Sequence, residues 1–127
     1  MNDPLGWAPI GQLIGLDIQP PGEEGKAEVF LDLQEHHHNP MGMVHGGVIS
    51  LLADAAMGIA FGRTLVNQHG FATIEMKTNF VRPIKSGRLQ AQAEVVVRGL
   101  RIGFCECRIT DQRQRLIATA SCTCSVT

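Results

Sequence analysis

The sequence predicts an α+β domain in which a curved antiparallel sheet of five to six strands wraps one long central helix. Two observations lead there. Gly46 to Phe61 is too long for a typical strand and rich in Ala, Leu and Met, and its apolar residues fall all around a helical axis. A helix apolar on every side is enclosed by protein. No apolar run reaches the roughly 18 residues that a membrane-spanning helix needs, so the rest of the chain must do the enclosing. That remainder reads almost entirely as strands, most of them after the helix, which favours an antiparallel sheet.

The elements follow in order. Ile10, Leu13 and Ile14 lie near helical spacing and predict a short helix over about 9–16, ended before Pro20-Pro21-Gly22. From Lys26 to Leu33, Ala27, Val29, Leu31 and Leu33 alternate with polar residues as in a half-buried strand. His36 to Gly42 is a loop, and the central helix spans about 47–65. Ala72 to Phe80 alternates, with Ile74, Met76 and Phe80 on one side and Thr73, Glu75, Lys77 and Asn79 on the other. Leu89 to Val97 puts Leu89, Ala91, Ala93, Val95 and Val97 on one face. In the strand from Arg101 to Thr110, Ile102 and Phe104 face outward, suggesting a subunit contact. After a turn at Asp111 to Gln114, Leu116, Ala118, Ala120, Cys122, Cys124 and Val126 point inward, with Ile117, Thr119, Ser121, Thr123 and Ser125 facing away.

Composition narrows the function classes. At 127 residues with 44% hydrophobic and 18% charged, the chain fits a single globular domain over 1–127. A net charge of -1 argues against broad capture of nucleic acid or anionic membrane. Met1-Asn2-Asp3-Pro4 has no basic or apolar leader, so a cytoplasmic location is expected. The four cysteines form two Cys-x-Cys pairs, Cys105/Cys107 and Cys122/Cys124. A one-residue gap is shorter than paired zinc ligands usually have, and we read them as reduced core residues. His36-His37-His38, with His45 and His69, invites a metal reading, but three consecutive loop residues rarely converge on one ion, and no metal is expected. Ser50 lacks a Gly-x-Ser-x-Gly turn, and no phosphate-binding glycine loop is present. Met41, Met43 and Met57 are expected in the core or lining a tunnel.

Two features call for chemistry. Asp54 sits among alanines in the enclosed helix, with no Lys or Arg three or four residues away, and a buried carboxylate is costly without a partner. His45-Gly46-Gly47 stands at the start of the same helix, where backbone N–H groups lack partners and glycine lets a ligand approach. Such a terminus suits a carbonyl oxygen that becomes an oxyanion. Asp54 lies seven or eight residues beyond the glycines, roughly 11–12 Å along the axis. A carboxylate that far away cannot act on a carbonyl held at its own helix start, so a catalytic pairing needs two subunits.

Asn39-Pro40-Met41-Gly42-Met43-Val44-His45-Gly46-Gly47, followed by Leu51-Leu52-Ala53-Asp54, resembles the signature of PaaI-type hotdog-fold thioesterases. Thr73 to Pro83 and Leu116 to Ala120 resemble that family's later strands, so the likeness covers nearly the whole chain. The resemblance implies a homodimer with a continuous ten-stranded sheet, often a tetramer, hydrolysing an acyl-coenzyme A thioester with no cofactor besides the coenzyme A of the substrate. It implies Asp54 as nucleophile or general base, the Gly46 amide as oxyanion donor and Asn39 helping to place the thioester. His45 would shape the loop and Thr73 would position the water.

Coenzyme A carries phosphates, so Arg82, Lys85 and Arg88, around Pro83 and Gly87, are expected to contact them, with Arg98 and Arg101 as second choices. Gly47, Met57, Phe61 and Phe80 are expected along the acyl site. Two other functions remain open at this stage: a hotdog hydratase or dehydratase, and a non-catalytic acyl-coenzyme A sensor. Asp54 with His45-Gly46-Gly47 fits hydrolysis better.

Overall fold

The computed structural model describes residues 5–66 and 70–127; Met1 to Pro4 and His69 lie outside the described residues. Its elements are α1 (Pro9–Ile14), β1 (Leu16–Ile18), β2 (Lys26–Asp32), α2 (Gly46–Gly62), β3 (Phe71–Phe80), β4 (Arg88–Arg98), β5 (Ile102–Thr110) and β6 (Leu116–Val126), with a single 3-10 turn at Glu35–His37. The six strands form one sheet in the order β1-β2-β4-β5-β6-β3, antiparallel at every pairing. The long helix α2 packs against β2, β3, β4, β5 and β6. Among the described residues no helix is long and apolar enough to cross a membrane.

Pro9 opens α1, where its missing N–H is no loss. Gly15, at φ 93, closes it with its N–H on the Gly11 carbonyl. The helix therefore stops short of Leu16, which instead begins β1, a strand too short to show alternation in the sequence. At the other end, α2 runs from Gly46 to Gly62 rather than to Leu65. There Thr64 turns both its N–H and its hydroxyl back to the Phe61 carbonyl, at 2.9 and 2.6 Å, and the Leu65 N–H reaches the Gly62 carbonyl. These three-residue closures tighten the chain out of the helix.

The core lies between α2 and the sheet. Leu52, Ala53, Ala56, Met57, Ala60 and Phe61 meet Val29, Leu31, Leu89, Ala91, Ile109 and the inward cysteines, all wholly buried. Burying a side chain the size of Phe61, Met57 or Leu52 contributes about 1.5–3 kcal/mol each. Phe61 lies directly on the backbone of Gly103, where any Cβ would collide with its ring.

Three β-bulges correct the expected alternation. Thr73 pairs with Cys124 and Glu75 with Thr123, so Ile74 is the extra residue in β3 and points outward, 58% exposed. In β4, Val95 pairs with Cys105 and Val97 with Phe104, so Val96 is inserted and Val97 is turned out of the core. In β6, Ile109 pairs with Ala118 and Thr110 with Leu116, and the extra residue, Ile117, is buried rather than facing away. Ile102 and Phe104 are exposed on the outer face, as their alternation with Cys105 and Cys107 requires.

The histidine tract divides its roles. His37 is buried, accepting the Gln34 N–H at Nδ1 (2.9 Å) and bonding the Ile14 carbonyl through Nε2 (2.8 Å), which pins the end of α1 to the loop. His38 Nε2 reaches the Lys85 carbonyl instead.

Candidate active site

The start of α2 is built by its own cap. His45 holds an extended backbone (φ -63, ψ 135) and is tied to the His37 carbonyl through its N–H. Its Nδ1 accepts the Gly47 N–H at 2.7 Å, which leaves the ring proton on Nε2. A Cβ on Gly47 would sit 2.9 Å from that Nδ1, so the cap requires glycine there. The His45 carbonyl takes the Val48 N–H. The Gly46 N–H is left without an acceptor among the described residues, at the positive end of a 17-residue helix. The Phe80 ring lies over Gly46, 3.2 Å from where a Cβ would stand.

Asn39 organises the loop that leads to this terminus. Its Oδ1 accepts the N–H groups of Met41 (2.9 Å) and Met43 (3.1 Å), its own N–H donates to the Met43 carbonyl, and a bridge between His38 and Val44 closes the turn. The turn projects Met41 into solvent, 81% exposed, and leaves Met43 exposed as well, so neither lies in the core.

Asp54 lies halfway along α2 on the stripe that faces β3. Four residues earlier, Ser50 donates to the Thr78 hydroxyl at 3.1 Å, and four residues later Gly58 passes under Phe71. Between them the Thr73 hydroxyl donates to Asp54 Oδ1 at 3.1 Å. The bulge at Ile74 makes this contact possible: without it, Thr73 and Met76 would point to opposite faces of β3. No Lys, Arg or His pairs with Asp54 among the described residues.

Asp54 and Thr73 open onto a cavity of about 320 Å³ whose other walls are mostly apolar, among them Trp7, Leu16, Leu51, Ala55, Ile59 and Phe71. The expected acyl-site residues Met57 and Phe61 are not there. Both are wholly buried in the core. Leu51 and Gly58 were missed, although they stand three residues before and four after Asp54 and so share its face, and Ala55 lines the cavity beside them. Gly47 spends its amide on His45, and Phe80 lies over the helix start.

Of the expected phosphate contacts, Lys85 and Arg88 line a polar cavity of about 430 Å³ together with Arg113 and Arg115. The Arg88 guanidinium is already engaged, by Asp17 at 2.9 Å and Asp32 at 3.7 Å, and lies 4.3 Å over the Phe30 ring. Arg115 is engaged by Asp111 at 2.7 Å. Lys85, Arg113 and Arg82 are exposed, and no partner holds their charged ends among the described residues. Arg98, a second choice, donates to the Thr64 hydroxyl and the Gly99 carbonyl and covers Phe61.

Comparison with known proteins agrees with this fold. Residues 41–118 match the model of the thioesterase superfamily. A 1,4-dihydroxy-2-naphthoyl-CoA hydrolase of Listeria monocytogenes is 31% identical over 117 residues, 92% of this chain and 94% of that one. A conserved protein of Pseudomonas aeruginosa superposes with a TM-score of 0.91 at 28% identity, covering 97% of each chain. The PaaI protein from the phenylacetic acid degradation operon of E. coli shares the fold, with a TM-score of 0.84 at 24% identity over 93% of this chain and 83% of that one. The central helix and six-stranded antiparallel sheet thus belong to a known scaffold, and the chain is a member of the thioesterase superfamily, a hotdog-fold thioester hydrolase.

Proposed function

We propose that the protein hydrolyses an acyl- or aryl-coenzyme A thioester at sites shared between two subunits of a homodimer. The carrying observation is a separation. Asp54, held by Thr73, and the free Gly46 N–H lie on one helix eight residues apart, about 12 Å at 1.5 Å per residue. One thioester carbon cannot reach both within a chain. Pairing two chains across the unpartnered edge of β3, with the half-open face of α2 beside it, brings Asp54 of one subunit to Gly46 of the partner subunit.

In that arrangement the Gly46 amide donates to the thioester oxygen and strengthens its bond as negative charge develops there. Asp54 attacks the carbonyl to form an anhydride, or removes a proton from the attacking water, with Thr73 fixing the carboxylate or the water. The thiolate of coenzyme A leaves without needing strong protonation, and on the anhydride route water then cleaves the anhydride to release the free acid and restore Asp54. Asn39 and His45 hold the loop that presents Gly46. The cavity beside Asp54 receives the acyl group, and Lys85, Arg82 and Arg113 meet the phosphates.

The test is complementation. Asp54→Asn, nearly isosteric, is expected to lower kcat roughly a hundredfold or more while the protein stays folded. Gly46→Pro removes the amide at the first helical position, where proline is tolerated. An equal mixture of the two inactive variants, allowed to exchange subunits, is expected to recover about a quarter of the wild-type sites, since each mixed dimer rebuilds one of two. A mixture as inactive as its components overturns the shared site.

A further inference from the structure

Three of the four cysteines converge in the core. Alternation along β6 puts Cys122 and Cys124 on the same inward face, and the β5–β6 register sets Cys105 directly opposite Cys122. All three are free and wholly buried. Their sulfurs all lie within 4.8 Å of one another, with Cys122 and Cys124 at 3.7 Å. The one-residue spacing of each Cys-x-Cys pair does not suggest a ligand set. The third sulfur arrives across the strands.

A metal ion bonded to three sulfurs at about 2.3 Å in a trigonal plane holds those sulfurs about 4 Å apart. The cluster needs little rearrangement to meet that geometry. Soft thiolate donors favour soft ions. Zinc in a closed protein site takes four ligands, and among the described residues no histidine or carboxylate joins these three. On binding, the coordinated thiols release their protons to solvent.

We propose that Cys105, Cys122 and Cys124 form a closed site for one Cu(I) ion. Cys107 provides an internal control. It lies on the same face of β5, two residues from Cys105, but β6 carries Ala120 opposite it, and it stands outside the cluster.

The full-length reduced protein is titrated anaerobically with Cu(I) buffered by bicinchoninate, and a second sample is refolded from urea in the same buffer so that entry to the core is not limiting. One Cu(I) per chain is expected in the wild type and in Cys107→Ala. Cys122→Ala and Cys124→Ala should each bind about a hundredfold more weakly, with thermal unfolding showing that they fold. X-ray absorption of the loaded protein should show sulfur neighbours at about 2.3 Å. Cu(I) held no more tightly by wild type than by the Cys122→Ala/Cys124→Ala double variant, after refolding, overturns the site. So does an equal loss in Cys107→Ala. The readout is bound metal rather than turnover, so neither result touches the hydrolase reading.

Discussion

On the face of α2 turned to the sheet, Leu52, Ala53, Ala56, Met57, Ala60 and Phe61 have no contact with solvent. On the other face, Val48, Leu51, Asp54 and Ala55 keep part of their surface exposed. Both faces are rich in small and apolar residues, which is why the helix shows no clear amphipathic stripe. The difference lies in what covers them. The sheet face is filled by the chain's own strands at close packing. The other face is left half-open beside a cavity and an unpaired strand edge, and a carboxylate can be kept there because it is neither fully desolvated nor paired with a cation. Stability is concentrated on one side of a single helix and the proposed chemistry on the other.

The sharpest way to break that division is at the helix start. Gly46→Ala and Gly46→Pro both press a Cβ toward Phe80, but only proline removes the amide. Relative to the alanine variant, the proline variant should lose roughly 100- to 1000-fold in kcat, the range seen when an oxyanion donor is deleted. Steady-state kinetics on one acyl-coenzyme A ester decides it, and equal rates would assign the oxyanion to another donor.

Adjacent leucines test the two faces directly. Leu52→Ala opens a cavity against the sheet and should lower unfolding free energy by about 2–5 kcal/mol, with kcat per folded molecule nearly unchanged. Leu51→Ala enlarges the cavity beside Asp54. It should lower stability by under about 1 kcal/mol but shift kcat/KM toward longer or wider acyl groups. Urea unfolding and a panel of acyl esters separate the outcomes, and similar destabilisation by both substitutions would deny the distinction.

Much of this was legible in the sequence. The enclosed helix, five strands and the positions of Asp54 and Gly46 follow from periodicity and from glycine and carboxylate placement. The rest was hidden for particular reasons. A bulge inserts one residue, and the sequence at Ile74, Val96 and Ile117 looks like an unbroken alternation, so Thr73, Ile74, Val97 and Ile117, at or beside an insertion, are assigned to the wrong face. Thr73 was placed near Asp54 through family likeness, whereas the periodic pattern alone grouped it with Glu75 and Lys77. Met57 and Phe61 were assigned to the acyl site because a helix apolar all round does not reveal which side meets the sheet. The cavity wall from Trp7 and Leu16 depends on His37 anchoring α1, a long-range contact no local pattern announces. Arg88 looked available because its partners, Asp17 and Asp32, come from other strands.

Thr73→Val removes one hydroxyl while keeping its shape, and the bulge that aims the side chain is unaffected. The loss of one hydrogen bond to a carboxylate, about 1.5 kcal/mol, should lower kcat roughly tenfold. A variant with unchanged kcat would mean that the half-open face needs Asp54 alone.

The smallest effect is expected far from both faces, at the turn between β5 and β6. Asp111 is buried there, and burial alone would raise its pKa. The N–H groups of Arg115 and Arg113 and the Arg115 guanidinium outweigh that and hold it below the ordinary aspartate value of 3.8. A carboxylate depressed in the folded state adds stability that is fully present above the unfolded value and fades as pH falls through the lower folded value. Wild-type melting temperature should therefore drop below about pH 4, and Asp111→Asn should show a shallower drop there from a lower starting point, because the asparagine has no charge to lose. Melting curves from neutral pH to about pH 2.5 check this. Parallel acid limbs would place the acid sensitivity at carboxylates other than Asp111.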